Sequence, residues 1–210
     1  MIKIDIWSDD TVKERIFKLI SGVTLSSFAI TCIIHSGLGI FPVTAMNMSL
    51  ANLTGLTLGT IGLISETAQI GVSVAMKEKI GWATVANASL GSILIDVFNV
   101  ILPYHPLMVG GTLLIPLAWS LLGKSRFSDT STNILTNAIL KRTKKKIGFI
   151  RLIQESLYLS IGAIAARNMI TPFTFVLTFG LGYLLQIGYK ILGYNPTEME
   201  HESIKLKIKK

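Results

Sequence analysis

One stretch of this chain occurs twice. Residues 53–66 and 142–155 align without a gap at a constant offset of 89 residues, Glu66 to Glu155 and Gly59 to Gly148. Thr54/Thr143, Gly59/Gly148, Ile61/Ile150, Leu63/Leu152, Ile64/Ile153 and Glu66/Glu155 are identical, six matches in fourteen positions. The same offset pairs Leu25 with Leu114, Ala29 with Ala118 and Gly91 with Gly180. The chain reads as two copies of one unit, each with a glutamate set inside an apolar run.

The solvent of that fold follows from charge. Only 15% of the 210 residues are charged and half are apolar, whereas a soluble domain carries about a quarter charged residues. Long stretches are nearly free of charge. That pattern predicts an all-α polytopic membrane protein, whose helices satisfy their own backbone because lipid cannot. The net charge of +8 does not point to nucleic acid, because the Lys and Arg sit between and beyond apolar runs, where they set orientation. Cys32 is the single cysteine, so no intrachain disulfide and no cysteine metal site is expected.

Six spans are predicted: 16–37, 55–76, 80–102, 107–123, 147–166 and 170–192. A bilayer core takes about 20 mostly apolar residues. Residues 1–18 form a polar lead-in without a signal core, with Ser8 or Asp9 as a helix cap. Gly37, Gly39 and Pro42 break the chain after the first span. The uncharged run 43–53 is too short to span and reads equally as a re-entrant or an interfacial helix. Gly55 and Gly59 open the second span. Pro116 is expected to kink the fourth, and Pro172 starts the sixth, where proline is tolerated. By the repeat, 133–140 corresponds to 44–51 and is expected to form a short amphipathic helix. The division is 1–103 for the first three-helix repeat with its lead-in, 104–192 for the second and 193–210 for a basic tail.

With the N-terminus inside, six spans return the tail to the same side. Lys141, Arg142, Lys144, Lys145 and Lys146 then lie in an inner loop with most other cations, and the outer segments hold only Arg167. This asymmetry places both termini in the cytoplasm. Three spans per unit make the halves inverted repeats, a frequent plan of transporters whose site lies at the midplane. Glu66 and Glu155 sit near the middle of their spans. A charge at that depth costs several kcal/mol, and such groups usually face a bundle interior or a cavity. Glu66, Glu155, Asp96, Asn47 and Asn52 are the candidate residues of a solute or ion pathway. Asn87, Ser89, Ser92, Ser49 and Asn99 either line it or hold helices together. Arg151, four residues before Glu155, supports a structural pair for that copy. Gly91, Gly148 and Gly180 fit a helix-packing role.

No HExxH, Walker loop, Gly-x-Ser-x-Gly or ligand cluster occurs, so neither an enzyme nor a metal or other cofactor is expected. The run 37–42, Gly-Leu-Gly-Ile-Phe-Pro, and the run 54–59, Thr-Gly-Leu-Thr-Leu-Gly, resemble the YczE/YyaS/YitT family of small bacterial integral membrane proteins. The Gly-Ser-Ile-Leu-Ile-Asp ending of the third span, 91–96, is similar to it as well. In the second half Arg142, Thr143 and Gly148 remain, while the proline is missing. The resemblance implies a multi-pass protein of a bacterial plasma membrane and says little about activity. The leading expectation is a small transporter or exporter-like protein, oligomeric, handling an unknown solute or ion. The competing expectation is a membrane scaffold or accessory protein that meets a partner or anionic lipid through the basic 141–146 loop.

Overall fold

The computed structural model describes residues 11–143, 145 and 147–193. All regular structure among them is helical. Helix α1, Val12–Ser36, is opened by a capping box between Thr11 and Glu14. The cap is therefore Thr11; the expected Ser8 and Asp9 lie outside the described residues. Residues 37–41 carry no regular structure, and α2, Pro42–Thr54, follows with proline at its first position. Helix α3, Leu58–Ala75, starts at the Thr57 cap. The third apolar run is a composite: α4 (Trp82–Ala86), a π-turn (Asn87–Gly91) and α5 (Ser92–Ile101).

A 3₁₀ segment, Pro106–Leu113, then leads into α6, Leu114–Lys124. Pro116 lies in the first turn of α6, where its missing N–H costs nothing. The fourth span, which Pro116 is expected to kink, changes helix type just before the proline. The short amphipathic helix expected at 133–140 is α7, Ser131–Thr143. Helices α8, Ile147–Ala165, and α9, Pro172–Leu192, close the fold, with Thr171 capping α9.

Four stretches among the described residues are long and apolar enough to cross a membrane: Val12–Ser36, Leu58–Ala75, Trp82–Ile101 and Pro106–Lys124. At 1.5 Å per residue α8 and α9 are about 28 and 31 Å long, close to a hydrocarbon core of about 30 Å. Large apolar side chains stand on the outer surface, among them Phe17, Val100, Ile164 and Phe179. Such a belt suits lipid rather than water.

The 89-residue offset recurs in the helix bounds. Helix α2 starts at 42 and α7 at 131, α3 starts at 58 and α8 at 147, and each pair is 89 residues apart. Packing is exchanged between copies: α2 lies on α8, and α7 lies on α3. Between them α1 packs on α6 and on the 3₁₀ segment before it through reciprocal glycine contacts. A Cβ on Gly22 would stand 3.1 Å from the Ala118 carbonyl oxygen, and one on Gly111 would stand 2.8 Å from that of Ala29. Gly22/Gly111 and Ala29/Ala118 are themselves offset pairs. Small residues let membrane helices approach this closely.

The chain entering α2 and the chain entering α7 share an unusual backbone. Gly37 and Gly39 have φ of 66° and 148°, and their counterparts Arg126 and Ser128 have φ of 60° and 97°. Glycine enters this left-handed region freely and other residues do not. The geometry is thus kept in the second copy after the glycines are gone.

Hydrogen bonds tie the two ends of the bundle. At one end His35 pairs its ring nitrogens with the Leu102 carbonyl (3.0 Å) and the Asn99 side chain (2.8 Å) and stacks on Tyr104. There, too, Thr171 donates to the Leu38 carbonyl. At the other end the buried Lys124, the offset partner of His35, donates to the Leu192 carbonyl at 2.6 Å. Each serves an orphan carbonyl at the C-terminus of the last helix of its own copy.

Candidate functional site

A cavity of about 130 Å³ lies where the two copies meet. Much of its wall comes in offset pairs. Residues 41–44 at the start of α2 face it, and so do residues 130–133 at the start of α7. Ile30 and Trp119 line it, as do Gly62 and Arg151, and Glu66 and Glu155. The start of each short helix and the middle of each glutamate-bearing helix therefore converge on one volume.

Glu66 is nine residues into α3 and half-buried. Asn87, the first residue of the π-turn, donates its side-chain amide to both carboxylate oxygens at 3.2 and 3.1 Å. A π-turn widens a helix locally and recurs at functional sites; here it carries Asn87 to the carboxylate. Ser131, the first residue of α7, donates its hydroxyl to Oε2 at 3.2 Å. No Lys or Arg among the described residues stands within ion-pair distance of Glu66.

Glu155 has a different environment. Arg151 lies 3.7 Å away on the same helix face, as the four-residue spacing predicts. Arg151 also donates to the Asn133 side chain. Its offset counterpart is Gly62. The second copy thus supplies its own cation, while the first has an empty side-chain position beside its glutamate. A Cβ there would lie 3.4 Å from the Ser92 hydroxyl and 4.0 Å from the Asn47 amide nitrogen. Asn47 lines the cavity, and its buried Oδ1 has no hydrogen-bond partner.

Asn47, Glu66 and Glu155 are brought together. Asp96 and Asn52 are not. Asp96 accepts from the Thr57 hydroxyl at 2.6 Å and the Gly59 N–H at 2.7 Å. It serves the orphan donors at the start of α3, although its neighbours Ser92 and Ile95 do line the cavity. Asn52 donates at 2.8 Å to the Ala165 carbonyl at the C-terminus of α8. Ser49 accepts from the Ala165 N–H, Ser89 bonds its own helix at Val85, and Asn99 holds His35.

The glycines divide by role. Gly37 and Gly55 take left-handed φ just beyond the C-termini of α1 and α2. A Cβ on Gly39 would press on Thr171 and Thr174, and one on Gly59 on the Ser92 carbonyl and Asp96. Gly59 is thus a packing position as much as a break. Gly91 meets α1 and accepts the Ser27 hydroxyl through its carbonyl. Gly180, expected to pack, meets nothing within 4 Å of its Cβ position among the described residues. The surroundings of Gly148 lie outside the described residues.

In the basic loop Lys141 pairs with Glu78 at 2.7 Å, and Arg142 and Lys145 are exposed; Lys144 and Lys146 lie outside the described residues. Sequence reasoning missed Gln69, Asn133 and residues 130–132 as cavity wall. The offset held that signal, since Pro42 maps onto Ser131 and Thr44 onto Asn133. Thr132 donates to Gln69 at 2.9 Å and joins α7 to α3. No group of three or more His, Cys, Asp or Glu with metal-site geometry occurs among the described residues.

No curated protein and no solved structure matches the chain. The match is to a family model described as a family of unknown function, which covers residues 13–197 and does not carry the YczE/YyaS/YitT name. On that coverage the chain belongs to the DUF6198 family of unknown function.

Proposed function

We propose that this is a six-span bacterial plasma-membrane protein made of two inverted three-helix repeats, and that it moves a small solute through the cavity between them. The observation that carries the reading is the shared cavity itself, with Glu66 and Glu155 at matched depths in offset helices. The exchanged packing of α2 on α8 and α7 on α3 supports an axis through that cavity. So does the matched backbone at Gly37/Arg126 and Gly39/Ser128. Short helices that start at the centre of a bundle are tolerated where they line a cavity, and they recur at the binding sites of transporters. Charge supports the orientation, with both termini cytoplasmic: Arg15, Lys124, Arg126 and Lys141 gather at one end, and among the described Lys and Arg residues Arg167 is alone at the other. Kinship with YczE/YyaS/YitT proteins rests on the glycine and turn motifs at 37–42 and 54–59.

The test needs no prior substrate. Proteoliposomes are loaded with a mixture of small metabolites and diluted, and the retained contents are read by mass spectrometry. At least one compound leaves faster than from protein-free vesicles, and Glu66→Gln slows that loss roughly tenfold, the scale of a lost charge-assisted hydrogen bond. Retention identical to protein-free vesicles for every compound contradicts transport.

A further inference from the structure

The two copies treat their glutamates unequally, and the difference defines a ligand. Arg151 fills the space beside Glu155 and brings a cation to it. At the equivalent place beside Glu66 stands Gly62. The cavity wall holds two carboxylates, Glu66 and Glu155, against one guanidinium, Arg151, so its formal charge is −1 with every described ionisable lining residue counted. Asn47 lines the same volume, and its buried Oδ1 has no hydrogen-bond partner. A buried acceptor without a donor is costly. A carboxyl group with no cation beside it, where the other copy supplies a guanidinium, calls for a positively charged group with N–H donors.

Size and polarity narrow this further. A cavity of about 130 Å³ is far larger than a bare ion needs, and an engineered cavity of about 150 Å³ holds benzene. Ile30, Phe41, Leu58, Ile95 and Trp119 give the volume an apolar side. The occupant therefore has a short hydrocarbon body as well as a charged head. We infer that the cavity binds a small organic ammonium compound whose ammonium group sits over Gly62, against Glu66, in the place that the Arg151 guanidinium takes against Glu155. This rests on the transport reading only for the fate of the ligand; the binding chemistry stands on the cavity alone.

The test is binding of radiolabelled n-butylammonium to the full-length protein in lipid nanodiscs, with competition by unlabelled n-butylammonium, 1-butanol, butyrate and sodium chloride. Binding is saturable, and only n-butylammonium competes. Glu66→Gln weakens it roughly tenfold or more, the scale of a charge-assisted contact, and Asn47→Ala weakens it less. Gly62→Arg abolishes it by supplying the missing cation from the chain. Equal competition by 1-butanol overturns the inference and marks a merely apolar void. Competition by sodium at equal concentration overturns it in favour of an inorganic ion site. Absence of saturable wild-type binding, or unchanged binding in all three variants, also overturns it. Release of bound n-butylammonium from proteoliposomes is read separately. Binding without release refutes transport and leaves the ligand class, whereas release of another solute without this binding does the reverse.

Discussion

Ser131 donates its hydroxyl to the Glu66 carboxylate at 3.2 Å. The bond crosses from the first residue of one copy's short helix to the mid-helix glutamate of the other. It ties the candidate site to the duplication, because neither copy alone contains both partners. Removing it weakens the protein modestly. A double-mutant cycle of Ser131→Ala with Glu66→Gln, measured by denaturation in mixed micelles, should give a coupling of about 0.6 kcal/mol and below about 1.7. A coupling of zero would separate the two residues.

The Lys141–Glu78 pair makes a contrasting case. It is shorter, at 2.7 Å, but the lysine is 64% exposed. Solvent screening and side-chain entropy leave exposed pairs at about 0–1 kcal/mol. The same cycle applied to Lys141→Ala and Glu78→Ala is expected to give less than about 0.5 kcal/mol and to fall further in high salt.

The contact of α1 with α6 and the preceding 3₁₀ segment should be intolerant of volume. Gly111→Val drives new atoms into the Ala29 carbonyl and Cys32, and overpacking of this kind costs about 1–3 kcal/mol or more. Gly22→Val acts likewise against Leu122. Gly180→Val, with no described residue within 4 Å of its Cβ position, leaves the melting temperature in detergent within a degree or so, as surface substitutions do. Equal losses at all three positions would refute the reciprocal contact.

The left-handed backbone gives an opposite pair of outcomes. Gly39→Ala adds a Cβ 2.9 Å from the Thr174 nitrogen and forces an L-residue to φ 148°, at a cost of about 2 kcal/mol or more. Ser128→Gly relieves the same geometry in the other copy, so it is neutral or stabilising by up to about 1 kcal/mol. Thermal melts of the two variants side by side decide the point.

Orientation is open to labelling. In a Cys32→Ala background, Tyr104→Cys is modified by an impermeant maleimide on intact cells, and Arg142→Cys only after the membrane is opened. The reverse pattern would invert the topology.

Much of this was legible in the residues because helices are long and lipid is a severe solvent. The offset of 89, read from identities around Glu66 and Glu155, also sets the starts of α2/α7 and α3/α8. What the chain hid was hidden by local chemistry. Asp96 lies in an apolar run like Glu66 but closes the start of α3, a role that needs a neighbouring helix end to be seen. Asn52 likewise serves a carbonyl 113 residues away. The loop into α7 lost its glycines, so Arg126 and Ser128 gave no sign of a left-handed turn. The vacancy beside Glu66 could be read only by placing Gly62 against Arg151.

Access to the cavity tests the central claim most directly. Thr44 lies in the first turn of α2, lines the cavity and is only 6% exposed. Thr44→Cys in the Cys32→Ala background is treated with an impermeant methanethiosulfonate reagent in right-side-out and then inside-out vesicles. A solute pathway through the midplane predicts modification from both faces. Modification from one face alone, or from neither, would contradict it.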